Sequence, residues 1–225
     1  MRYDVIFMDI DNTLLDFHAG TEESLRALLQ TFGLEATEDR LTRFHQINDR
    51  LWRQYEHGEI EKSHIFPTRF REYLGEMGIE TDWLAANEQF AAGLRASAVL
   101  MPGAPELLDA LKGRCRVYAV TNAVTTTQMP RLEKSGLIHR FDRIFISEQM
   151  GCQKPSAEFF DQVFAAIGPV DKSRCIILGD SLTSDMQGGR NAGIATCYFG
   201  KPTEDDRCDY VIERLEEFLP LVMGT

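Results

Sequence analysis

Two aspartates, Asp9 and Asp11, stand two residues apart just after a short apolar run, Val5–Met8. Paired carboxylates at that spacing can divide one reaction between them, one attacking an electrophile and the other moving a proton. Three further polar groups follow later apolar runs: Thr121-Asn122 after Val117–Val120, Lys154-Pro155 beyond Ile144–Ile146, and Gly179-Asp180-Ser181 after Cys175–Leu178, with Asp185 one turn on. Hydroxyl and N–H groups bind anionic oxygens, an ammonium balances their charge, and clustered carboxylates suit a hard divalent cation. Together these are the parts of a phosphoryl-transfer site. Each alone is weak. An Asp-x-Asp pair commonly ends a strand in a solvated turn, Thr-Asn commonly caps a helix, and Lys-Pro and Gly-Asp-Ser are ordinary loops. Their joint occurrence, each at the end of a strand-like run, carries the functional reading.

The elements that must position these residues follow from hydrophobic periodicity. Val5–Met8 reads as a buried strand. From about 16 to 100 the texture is helical. Leu25, Leu28, Leu29 and Phe32 repeat at helical spacing, with Thr21 as expected N-cap and Gly33 as stop. Thr37 is expected to cap a second helix, Pro67 to lie in the first turn of a third, and Thr81 to open a fourth. After Pro102-Gly103, strand-like runs at 117–120, 144–146, 175–178, 195–198 and 210–212 alternate with helical stretches near 103–112, 125–135, 156–166, 183–191 and 215–222. Alternation of this kind predicts an α/β fold, a doubly wound parallel sheet with an inserted all-helical cap domain. The expected boundaries are 1–15 with 101–225 for the catalytic core and 16–100 for the cap. In such sheets ligands bind beyond the carboxyl ends of the strands, where the polar groups above fall. Pro130, inside the helix after Thr121, should kink it or mark its true start.

Bulk properties exclude several classes. The 225 residues are 44% hydrophobic and 26% charged, ordinary for a globular chain with a sizeable core. A net charge of −11, without a long basic run, argues against nucleic acid or an anionic membrane as partner. The five cysteines form no C-x-x-C pair, which argues against zinc and thiol redox chemistry and fits a reducing compartment. The N-terminus does not read as a signal peptide, and no apolar run is long enough to span a bilayer, so a cytoplasmic location is expected.

With these residues in view, the chain resembles the haloacid dehalogenase-like hydrolase superfamily. The four motifs match at Asp9-x-Asp11-x-Thr13, Thr121, Lys154-Pro155 and Gly179-Asp180-x-x-x-x-Asp185. Within it, the segments 9–17, 146–155 and 179–193 are similar to the bacterial pyrimidine 5′-nucleotidase branch. The resemblance implies catalysis on a doubly wound core, with the helical cap closing over a small phosphate ester such as a nucleoside monophosphate.

The chemistry expected of the residues agrees. Asp9 attacks phosphorus and Asp11 gives a proton to the leaving alkoxide, then takes one from the water that hydrolyses the aspartyl-phosphate. Mg²⁺ would be ligated by Asp9, the backbone carbonyl of Asp11 and Asp180, with Asp185 holding one of its waters. Thr121 and the N–H of Asn122 bind phosphoryl oxygens, and Lys154 neutralises charge.

Other residues carry less. Histidines 18, 45, 57, 64 and 139 show no ligand spacing. Gly188, Gly189 and Gly193 are expected to allow close packing on the sheet rather than to form a dinucleotide fingerprint. Phe17, Trp52, Tyr55 and Phe66 offer faces for a nucleobase, although packing is the simpler use of each. Competing readings are a phosphatase of phosphoglycolate or a sugar phosphate, a 2-haloacid dehalogenase, and a non-catalytic protein on the same fold. The resemblance argues against dehalogenation, since dehalogenases of the family lack the second aspartate. Retention of every polar motif residue argues against a degenerate, non-catalytic chain. Oligomeric state is not legible.

Overall fold

A computed structural model describes residues 1–224, which divide into two compact units. One comprises Met1–Asp16 and the segment from Val99 onward; the other is Phe17–Ala98. In chain order the first strand is β1 (Val5–Met8), and the helical unit follows with α1 (Phe17–Thr31), α2 (Glu38–Glu56), α3 (Lys62–Gly75) and α4 (Trp83–Arg95). The chain then runs α5 (Ala104–Leu111), β2 (Arg116–Thr121), α6 (Thr125–Lys134), β3 (Arg143–Ile146), α7 (Ser147–Met150) and α8 (Ala157–Ile167). It ends with β4 (Cys175–Gly179), α9 (Gln187–Ala192), β5 (Ala195–Phe199), β6 (Tyr210–Ile212) and α10 (Phe218–Met223).

The six strands form one parallel sheet in the order β3-β2-β1-β4-β5-β6. The doubly wound fold expected from the alternating pattern is thus present. Strand β1 shows why its run is apolar throughout. Ile6 and Met8 pack into one buried cluster with Leu108, Leu132 and Phe218, while Val5 and Phe7 pack into another with Phe159, Phe160 and Val163. Both faces of the sheet are covered, so neither parity of side chain meets water. Gly189 lets α9 lie on the sheet, since a Cβ there would come within 2.6 Å of Thr196 and 2.7 Å of Ile177.

The helical unit has its own core around Phe44, Phe70, Tyr73 and Phe90. Thr37 caps α2 as expected, accepting from the Arg40 N–H. Three other expected helix starts differ. Thr21 lies inside α1 and its hydroxyl donates to the His18 carbonyl 2.8 Å away, a bond within the helix rather than a cap. Helix α3 begins at Lys62, ahead of Pro67. Helix α4 is capped by Asp82, which accepts from the N–H groups of Leu84 and Ala85, and not by Thr81. Pro130 does not mark a start either, because α6 begins five residues before it at Thr125. Between β4 and α9 the chain makes a π-helical turn, Leu182–Met186, where a continuous helix was expected. Among the described residues, no helix is long and apolar enough to cross a membrane.

Candidate active site

The strand order reverses direction between β1 and β4, and the carboxyl ends of these two strands and of β2 deliver most of the candidate residues. A crevice at such a switch point is where a doubly wound sheet admits ligands. Asp9 follows β1 directly, and its N–H extends the ladder by donating to the Leu178 carbonyl at 2.9 Å. The next residues turn tightly, with the N–H groups of Leu14 and Leu15 both donating to the Ile10 carbonyl. Asn12 takes φ +57° in that turn, a left-handed conformation that asparagine tolerates better than most residues.

Lys154 is the centre of the arrangement. It is 1% exposed, and its ammonium donates to Asp9 Oδ1 at 2.7 Å, Asp185 Oδ1 at 2.6 Å and the Val120 carbonyl at 2.7 Å. Those three bonds use all the protons an ammonium has. No proton of this ammonium is left for a further acceptor. The Asn122 side chain fixes the lysine's backbone, its amide donating to the Lys154 carbonyl and accepting from the Lys154 N–H, each at 2.9 Å. Sequence reasoning assigned Asn122 only a backbone N–H.

Asp185 sits in the π-helical turn, fully buried, with its second oxygen accepting from the Ser181 N–H at 3.1 Å. A Cβ at residue 179 would lie 2.2 Å from the Asp185 carboxylate, so only glycine fits there. Asp180, at the end of β4, accepts a long bond of 3.5 Å from the buried Thr13 hydroxyl. Thr121 is buried at the end of β2, and its Oγ accepts from the Ala123 N–H at 3.3 Å.

The electrostatics are those of crowded acids. Burial pushes Asp9 up to about 8, with Lys154 pulling it down and Asp185 pushing it further up. Burial, then Asp9 and Asp185, likewise raise Asp180 well above the usual carboxylate range. For Lys154 burial works against the charge, yet Asp185 and Asp9 outweigh it and the net direction is upward. Asp9, Asp180 and Asp185 each offer an oxygen, all within 4.8 Å of one another. Once all three are ionised, the cluster and the one ammonium beside it carry two unbalanced negative charges, which suits one divalent cation bound through hard oxygen donors. The third side chain in this cluster is that of Asp185, expected to act only through a water, while Asp11, expected to contribute its backbone carbonyl, does not bring its side chain to it. No histidine belongs to the cluster.

The Asp11 side chain turns to α6 instead. Arg131 donates to its Oδ1 at 2.5 Å and Gln128 to its Oδ2 at 3.1 Å. Neither residue was singled out from the sequence. Their three-residue spacing on the helix after Thr121 was the available signal, but arginine and glutamine at that spacing normally line a solvated face. The aromatic candidates divide: Tyr55 is buried in the helical core, whereas Phe17, Trp52 and Phe66 pack against that core only in part.

A doubly wound parallel sheet with an acidic cluster and a buried lysine at its switch point defines a hydrolase of the haloacid dehalogenase type. The chain belongs to the haloacid dehalogenase-like hydrolase family, whose model matches residues 3–193. It is 37% identical to the HAD-hydrolase YfnB of Bacillus subtilis (strain 168), over 96% of this chain and 94% of that protein. The crystal structure of YfnB bound to magnesium, which reveals interdomain movement, superposes with a TM-score of 0.92 and covers 99% of each chain. Two further relatives are named pyrimidine 5′-nucleotidases. They are PynA of Streptococcus pneumoniae, 36% identical over 88% of this chain and 84% of its own, and YjjG of Escherichia coli, 33% identical over 88% and 86%.

Proposed function

We propose that this hydrolase is a magnesium-dependent phosphatase acting on nucleoside 5′-monophosphates, pyrimidine ones foremost. The observation that carries the reading is the buried Asp9 carboxylate, oriented by Lys154 beside Asp180 and Asp185, with a second carboxylate, Asp11, two residues away. An Asp9 oxygen attacks phosphorus, and the ester P–O bond breaks as Asp11 protonates the departing alkoxide. Water then attacks the phosphorus of the aspartyl-phosphate and passes its proton to Asp11; the bond to Asp9 breaks and phosphate leaves. Thr121 and the Asn122 N–H bind phosphoryl oxygens, and Lys154 keeps Asp9 oriented throughout. Asp9, Asp180 and Asp185, with the Asp11 carbonyl, would hold Mg²⁺, whose charge would offset the crowding of the acids and polarise a phosphoryl oxygen.

The names of two relatives support the nucleotide as substrate. We assign selection of the leaving group to the helical unit: a face such as Phe17, Trp52 or Phe66 stacking on a base is worth roughly 1–3 kcal/mol. The test compares kcat/KM for uridine, thymidine, adenosine and guanosine monophosphates with phosphoglycolate and a sugar phosphate, with Mg²⁺, with Ca²⁺ and in excess chelator. Pyrimidine nucleotides should lead, Ca²⁺ should substitute poorly and chelator should silence the enzyme. Should a non-nucleotide ester exceed every nucleotide about tenfold, a gap of about 1.4 kcal/mol, the nucleotidase assignment fails while the phosphatase remains. Full activity in chelator would overturn the metal's role.

A further inference from the structure

Arg131 is 1% exposed and Gln128 is fully buried, although neither side chain is apolar. They stand three residues apart on α6, on the face that also buries Leu132, and residues so spaced are neighbours on a helix surface. One guanidinium nitrogen of Arg131 donates both to Asp11 Oδ1 at 2.5 Å and to the Gln128 amide oxygen at 2.8 Å. The Gln128 amide nitrogen donates to Asp11 Oδ2 at 3.1 Å and, at 3.5 Å, to the Thr121 hydroxyl. The two residues thus grip both oxygens of one carboxylate and tie it to the end of β2. The gripped side chain still keeps 28% exposure.

We infer that Gln128 and Arg131 are positioning residues that hold the Asp11 carboxylate in one orientation for proton transfer to the leaving group. The inference rests on the phosphatase reading above. The backbone of Asp11 is fixed by the turn after β1, but its side chain would otherwise sample several staggered rotamers. Two donors from a single buried helix face select one of them. Burying an arginine costs several kcal/mol unless it is well paired, and here its guanidinium finds acceptors in Asp11 Oδ1 and the Gln128 amide oxygen. A purely structural helix face would be filled more cheaply by an apolar residue, as Leu132 fills it one position on.

A proton donor matters most when the leaving group is a poor one. An alkoxide needs the proton as the P–O bond breaks, whereas p-nitrophenolate leaves without it. The ratio kcat/KM covers steps up to that cleavage, so later hydrolysis of the aspartyl-phosphate does not enter it. The experiment compares a nucleoside monophosphate with p-nitrophenyl phosphate in wild type, Arg131→Met, Arg131→Lys and Gln128→Met, in the presence of Mg²⁺. Arg131→Met should lower kcat/KM for the nucleotide about 10–100-fold, the scale of a misplaced catalytic group. The p-nitrophenyl ester should lose less than about threefold, because its departure does not draw on the acid. Arg131→Lys should recover part of the loss, and Gln128→Met should repeat the asymmetry at smaller scale. If Arg131→Met does not fold, those two milder variants carry the same comparison. Equal losses on both esters, or none on either, overturn the positioning role while leaving the phosphatase reading intact. A wild-type enzyme that hydrolyses neither ester overturns both.

Discussion

The α/β unit buries Lys154 and Arg131 and the helical unit buries Arg69, and the two units solve the problem in opposite ways. In the α/β unit Lys154 is enclosed by carboxylates, Asp9 and Asp185, which raise its affinity for a proton despite burial. In the helical unit Arg69 is 5% exposed, and among the described residues no carboxylate pairs with it. Its guanidinium donates to the amide oxygens of Asn48 at 2.9 Å and Asn87 at 2.5 Å, and lies 4.7–5.5 Å from the ring centroids of Phe44, Phe70 and Phe90. Burial pulls Arg69 down to about 9. Amides and aromatic faces are enough to seat a cation in a packing core, but they leave nothing to react. Carboxylates around a cation leave reactive oxygen atoms held in place. The difference separates a buried charge used for shape from one used for chemistry.

Removing each cation should sharpen that contrast. Lys154→Met leaves Asp9 and Asp185 buried without compensation and should cost the metal-free protein about 3–5 kcal/mol in denaturant unfolding at pH 8. Arg69→Met leaves two amide oxygens short of a donor but removes an unpaired charge, and should cost less than about 2 kcal/mol. If the Arg69 variant proves the costlier, the contrast collapses.

A smaller effect concerns pH. Asp9 titrates at about 8 in the folded chain against an ordinary 3.8, so between those values the folded state binds more protons than the unfolded. Stability of the metal-free protein should therefore be greatest at the acid end of this window and fall as pH rises from about 4 to about 8. Asp180, raised in the same direction, adds to the trend. Mg²⁺ binding the ionised cluster should raise Tm more at pH 8 than at pH 5. A Tm increment on adding Mg²⁺ that is the same at both pH values would contradict this.

What the sequence revealed of this site follows from what its residues cannot otherwise do. Asp9, Thr121 and Asp180 lie at the ends of β1, β2 and β4, and polar residues closing apolar runs are conspicuous. The doubly wound sheet was legible for the same reason, because both faces of β1 and β4 are covered and their runs are apolar throughout. Arg131 and Gln128 were not legible. On a helix face, periodicity assigns such residues to solvent, and only the fold brings Asp11 to meet them. The start of α4 was misread because Thr81 and Asp82 are adjacent capping types, and only the bonds from Leu84 and Ala85 decide between them. The charge on Asp9 was equally hidden, since its elevation comes from burial and from Asp185, which is 176 residues away in the chain but close in the fold.

The central claim is that Asp9 carries the phosphoryl group. It is tested most directly by quenching the enzyme in acid during turnover of a nucleoside monophosphate, reducing with borohydride, and locating the product by peptide mass spectrometry. The account predicts that Asp9 alone is converted to homoserine, and that Asp9→Asn gives no such product while losing on the order of 10³-fold or more in kcat. Homoserine at another aspartate, or an Asp9→Asn enzyme that retains more than about a tenth of wild-type kcat, would contradict it.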